Sequence, residues 1–161
     1  MKTIVTYFSA TGKTKRLAET FSNVLNAELF EIKPAVPYTK KDLNWLNPKS
    51  RSSVEMKDKS SRPEITDSFY DAIQEADTIF VGFPIWWYIA PTIVNTFLEQ
   101  YDLSDKMIIP FATSGGSGMG ETNFYLAPSC PGALLVEGKV FKSKAGSEEL
   151  TGWLKELNVM M

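Results

Sequence analysis

Short apolar runs alternate along this chain with stretches of helical periodicity, and that rhythm constrains its fold more than any other feature. Residues 2–8 (KTIVTYF), 28–32 (ELFEI), 77–83 (DTIFVGF) and 106–114 (KMIIPFATS) read as strands, with a last strand region at 133–141. Between them, 13–27 carries Leu17, Ala18, Phe21, Val24 and Leu25 on one helical face. Residues 67–76 do the same with Phe69, Ala72, Ile73 and Ala76. Pro91 can open a helix bearing Ile93, Val94, Phe97, Leu98 and Tyr101. Ser147 is expected to cap a final helix, with Glu148 and Glu149 in its first turn and Leu150, Trp153, Leu154 and Leu157 facing inward. Strands separated by helices imply a parallel sheet covered on both faces, because parallel strands need a crossover between them. Pro110 conflicts with its strand, since proline removes a ladder hydrogen bond. The apolar run around it is strong, so the strand stands and a local distortion is expected there.

The rhythm fails over residues 33–62. That stretch holds Pro34, Pro37 and Pro48, shows little periodicity, and is long for a connection in a compact domain. Its eight basic residues outnumber its three acidic ones, giving +5, while the whole chain is −2, so the remainder is −7. It reads as an irregular basic insertion in a single domain spanning 1–161. It is either a solvated excursion or a flap or docking surface beside a site.

Composition excludes several chemistries. The chain has 161 residues and is 43% hydrophobic, enough for one domain with a proper core. Histidine is absent, which rules out Ser-His-Asp and Cys-His catalysis. With the single cysteine, Cys130, no internal disulfide can form, and no metal site is expected. The N-terminal MKTIVTYFS is too short an apolar stretch for a signal peptide, and the longest apolar run, 79–91, is interrupted by Gly82 and Pro84. A cytoplasmic protein with no nucleic-acid or membrane partner is the expectation.

Three loops carry chemistry. SATGKT (9–14) ends like a nucleotide P-loop, but the glycine needed five positions before its Gly-Lys is Tyr7. What remains is a smaller phosphate cradle. Ser9, Thr11 and Thr14 offer hydroxyls, Gly12 permits a tight turn, and the helix start presents unpaired N–H groups. Ser9 or Thr11 could equally serve only as a helix cap. In GFPIWWYIAP (82–91), Trp86, Trp87 and Tyr88 supply planar surfaces for stacking on another ring, though at least one can plug the core instead. TSGGSGMG (113–120) allows close backbone approach to a ligand, or simple flexibility; its spacing does not complete a dinucleotide fingerprint. All three loops follow strands, at the first, third and fourth. In a 2-1-3-4-5 order these strands are neighbours, and ligands bind where that order reverses. The three loops then converge on one cleft, suited to a ligand with a phosphate at one end and a flat ring at the other.

With PIWW and TSGGSG in its second and third loops, and Ser9, Thr11, Gly12 and Thr14 matching an (S/T)-x-T-G-x-T first loop, the chain resembles the flavodoxin superfamily. The resemblance spans nearly all of it outside 33–62. It implies a three-layer α/β sandwich around a five-stranded parallel sheet in the order 2-1-3-4-5. It also implies bound flavin mononucleotide (FMN). Phosphate binding is implied for Ser9, Ala10, Thr11, Gly12, Lys13 and Thr14. Ring contacts are implied for Pro84, Ile85, Trp86, Trp87 and Tyr88, and for Thr113, Ser114, Gly115, Gly116 and Gly118, with Trp87 favoured over Trp86 for stacking. The implied function is electron transfer between redox partner proteins, by a monomer or dimer and without a catalytic side chain. The alternative is an NAD(P)H-dependent, FMN-containing quinone or flavin reductase. The last strand is too short for the insertion of long-chain flavodoxins, which leaves the short-chain form with an enlarged second connection.

Overall fold

A computed structural model describes residues 2–159. The strands β1 (Thr3–Tyr7), β2 (Glu28–Glu31), β3 (Thr78–Pro84), β4 (Met107–Thr113) and β5 (Leu134–Leu135) form a sheet in the order β2-β1-β3-β4-β5. Every pairing in it is parallel. A further short strand, β6 (Lys139–Phe141), also pairs with β4.

The apolar runs are continuous rather than alternating because both sheet faces are covered. Ile4, Phe8, Ile79, Val81, Phe83, Ile108 and Ala112 pack on one face against α3 (Tyr70–Glu75) and α4 (Thr92–Glu99). Val5, Tyr7, Phe80, Ile109 and Phe111 pack on the other against α1 (Lys13–Leu25) and α6 (Ser147–Glu156). The pleat thus sends successive residues to opposite cores. Gly82 makes room in the second core: it stands opposite Phe111 in register, and a Cβ there would collide with the Phe111 ring. That ring lies 4.3 Å from the ring of Phe21 on α1.

The expected distortion at Pro110 falls in the neighbouring strand. Val136 N–H donates to the Ile108 carbonyl, so even-numbered β4 residues direct their polar groups toward β5 and β6. Pro110 has no N–H to offer on that side. The last strand region, expected unbroken over 133–141, therefore splits. Ile108 pairs with Leu135 and Phe111 with Lys139, setting three residues against two. Gly138 lies against Pro110 so closely that a Cβ would meet the Pro110 carbonyl.

Other boundaries differ from the pattern. The helix expected over 67–76 is only α3. Thr66 N–H is drawn to the Lys33 carbonyl (3.0 Å) and Phe69 N–H to the Tyr101 hydroxyl (3.0 Å), which holds the backbone before Tyr70 out of the helix. Ser147 does not cap α6; Gly146 occupies the cap position without a side-chain bond and Ser147 is the first helical residue. The pattern also missed α5 (Thr122–Leu126) and the 3₁₀ turn Ala127–Ser129 after it.

Residues 33–62 are not wholly irregular. They contain α2 (Arg51–Lys57), capped by Ser50, whose hydroxyl accepts from Ser53 N–H. The excursion is closed at its neck by a Pro34–Ile65 antiparallel bridge. Inside it, Arg51 binds Glu55 (3.0 Å) and the Val36 carbonyl (2.7 Å), and its guanidinium lies 3.8 Å from the Tyr38 ring centre. Tyr38 in turn donates to Glu55 (2.5 Å) and packs edge-on against Phe8 and Trp86. No helix among the described residues is long and apolar enough to cross a membrane.

Candidate functional site

The first loop turns at Gly12, whose φ of +93° is costly for any residue with a Cβ. Ser9 Oγ accepts the Gly12 N–H at 3.0 Å, and Gly12 rather than Ser9 or Thr11 is the cap of α1. The first backbone bond of the helix runs from Arg16 N–H to the Gly12 carbonyl at 3.1 Å. The N–H groups of Lys13, Thr14 and Lys15 precede it and have no intrahelical acceptor, which favours an anion. Thr14 is buried and shares a 2.8 Å hydroxyl–hydroxyl bond with buried Thr113, so the first and third loops are pinned together.

The second loop is a miniature hairpin. Trp86 N–H donates to the Ile89 carbonyl (2.9 Å) and Ile89 N–H to the Trp86 carbonyl (3.2 Å). Its two central residues, Trp87 (φ +48°) and Tyr88 (φ +68°), are both left-handed. That is the geometry of a turn that prefers Asn-Gly. Two large aromatics hold it here, a strained arrangement of the sort that collects at functional sites. The strain has a visible result. Trp86 is the ring that plugs the core, edge-on to Phe8 at 5.6 Å and Tyr38 at 5.4 Å, while Trp87 and Tyr88 are 41% and 70% exposed.

In the third loop, Ser114 Oγ accepts from Ser117 N–H (2.9 Å) and Gly116 N–H (3.2 Å), curling the chain. Gly115, Gly116 and Gly118 face open space where a Cβ would stand. Gly120 locks this loop to the hairpin, since a Cβ there would strike the Tyr88 carbonyl.

Between the loops lies a cleft of about 770 Å³. Ala10, Thr11, Pro84, Ile85, Trp86, Trp87, Tyr88, Ser114, Gly115 and Gly116 line it, with Ser117. Ser9, Gly12, Lys13, Thr14, Thr113 and Gly118 do not form its wall. Ser9 borders a neighbouring cavity with Phe8 and Tyr38, and Thr14 and Thr113 sit beneath as the pin. The sequence pattern did not single out Leu43, Trp45 and Ser52, which the 33–62 segment contributes to the wall. The available signal was the apolar pair Trp45–Leu46 in a polar stretch; Trp45 and Trp87 also both line a second cavity. Part of this segment therefore stands beside the cleft. None of the described residues lining the cleft carries a charge. Burial, with the Glu55 bond next, raises the Tyr38 phenol far above its ordinary range, so it stays protonated beside the site.

A doubly wound α/β protein with its cleft at the β1–β3 reversal defines a class of ligand-binding proteins. The sequence model of the flavodoxin family matches residues 2–157, and the chain belongs to that family. A protein assigned as a flavoprotein from Bacteroides eggerthii is 42% identical, with 98% of each chain covered and a TM-score of 0.92. Its counterpart from Bacteroides uniformis is 44% identical, covering 96% of this chain and 97% of that one, at a TM-score of 0.89. A flavoprotein in complex with FMN from Lactobacillus acidophilus is 22% identical, covering 94% and 97%, at a TM-score of 0.68, and shares the fold. A search of curated protein sequences gave no match.

Proposed function

We propose that the protein binds FMN in this cleft and passes electrons between redox partner proteins. One observation carries the reading: a single cleft runs from Ala10 and Thr11, in the loop that leads into α1, to the exposed rings of Trp87 and Tyr88. The residues fit the group. The amides of Lys13, Thr14 and Lys15 and the Thr11 hydroxyl would hold the phosphate. The open side of Gly115, Gly116 and Gly118 would admit the ring to the backbone, and Trp87 would lie against its face. The FMN bound by the Lactobacillus acidophilus relative supports this choice. When bound, the flavin supplies the redox chemistry; the chain orients it, shields one side from water and needs no acid or base of its own.

A second reading, a reductase that draws hydride from NAD(P)H, is favoured by one feature. The 33–62 segment, which carries a net charge of +5, reaches the cleft wall through Trp45 and Ser52, and that charge would attract a phosphorylated dinucleotide. An anaerobic absorbance titration separates the two. With the carrier, NADPH leaves the flavin bands unchanged and dithionite removes them in two one-electron stages. Rapid bleaching by NADPH alone would replace the carrier with the reductase. Purified protein that acquires no flavin bands after FMN addition would end both.

A further inference from the structure

Ser52 is the one side chain among the described residues whose buried polar atom finds no hydrogen-bond partner. It is 2% exposed and lies on the cleft wall beside Leu43 and Trp45. Buried hydroxyls are almost always satisfied, and an exception calls for a reason. The surroundings remove the local ones. Ser50 and Ser53 satisfy each other at 2.9 Å, leaving Ser52 outside their pair. Ser52 N–H is fixed to the Asp42 carbonyl at 3.0 Å, and the adjacent Arg51 is held by Glu55, Val36 and the Tyr38 ring. The backbone that presents Ser52 is therefore anchored on both sides, and Tyr38 links it to Trp86 of the hairpin. An alanine would fill this position with no orphaned oxygen.

We propose that Ser52 is a ligand-binding residue: its hydroxyl donates a hydrogen bond to an acceptor oxygen or nitrogen of the flavin seated in the cleft. The 33–62 segment is then a fourth wall of the site, adding polar recognition to a side otherwise built from Leu43, Trp45 and Trp87. This inference rests on the proposed FMN reading. It gives the segment a role distinct from its charge, since the contributing residue is neutral.

The test compares the parent with Ser52→Ala, measuring FMN affinity of the flavin-free protein and its melting temperature without ligand. The expected result is a pair of opposite signs. FMN binding weakens about tenfold, the worth of one buried hydrogen bond. The flavin-free protein melts ~2–4 °C higher, because the orphaned hydroxyl is gone. A merely structural serine would move both quantities the same way or leave affinity untouched. Unchanged FMN affinity in Ser52→Ala, with the parent binding normally, overturns the role of Ser52 alone. A parent that binds no FMN overturns this inference together with the proposed function. A variant that melts below the parent overturns it as well, since the hydroxyl would then have a partner within the protein.

Discussion

Two aromatic side chains decide how the hairpin at 86–89 behaves. Trp86 is clasped by Phe8 and Tyr38, so removing it costs packing, whereas Trp87 offers an exposed ring to the cleft. Trp87→Ala is expected to restore the fluorescence of bound flavin that stacking quenches, with little change in melting temperature. Emission as low as in the parent would assign the stacking to Trp86 or Tyr88. Tyr88 gives the complementary case. Its φ of +68° suits glycine, and 70% of its side chain is exposed, so little packing opposes the change. Tyr88→Gly should stabilise the flavin-free protein by about 1 kcal/mol in urea unfolding. A loss of stability would mean that the tyrosine ring, not the backbone, holds the turn. Nothing in Trp-Tyr announces left-handed backbone, which is why PIWWYI was legible as a ring-bearing loop but not as a hairpin. Ser52 was invisible for another reason: one of three serines in a polar stretch (Ser50, Ser52, Ser53) acquires meaning only from what fails to surround it.

At the scale of the element, the strands were legible because burial on both faces leaves continuous apolar runs, and those of β1, β3 and β4 are long. Helix ends were less so. Gly146 and Gly12 occupy cap positions where hydroxyls stood adjacent in sequence, and α2 is too short and polar to show an apolar stripe. Pro110 was legible as a disturbance, but the side on which it acts depends on register, which a single strand does not reveal. Gly82 shows the same dependence. In sequence it merely interrupts an apolar run; in register it stands opposite Phe111 and leaves space for that ring. Because Phe111 is fully buried against Phe21, it cannot retreat easily. Gly82→Ala should therefore cost about 1–3 kcal/mol through overpacking, read as a lower urea midpoint at constant slope. A neutral result would show that the second core can yield around the Phe111 ring.

Across the whole molecule, the basic segment is fastened to an acidic body at particular points, and one of them predicts an acid response. Arg62 reaches α4 and donates to both oxygens of Glu99, at 2.8 and 3.0 Å. The Arg62 bonds, aided by Ser129 at 2.7 Å, hold the Glu99 carboxyl below its ordinary pKa of 4.5, and burial opposes them only partly. A carboxyl whose pKa is lower folded than unfolded adds stability above its unfolded value, and that contribution disappears as pH falls through the folded one. Both side chains are more than a third exposed or close to it, so solvent screens the pair and its worth stays below about 1 kcal/mol. Arg62→Ala should accordingly lower the unfolding free energy by a constant amount above about pH 5, and the deficit should shrink as Glu99 protonates in both proteins, toward whatever the Arg62 bonds to the Lys59 and Ser61 carbonyls contribute. Urea unfolding at a series of pH values reads this directly. A deficit that persists undiminished at pH 2 would mean that Arg62 acts through its bonds to the Lys59 and Ser61 carbonyls, which do not titrate, and that the charge pairing with α4 contributes nothing.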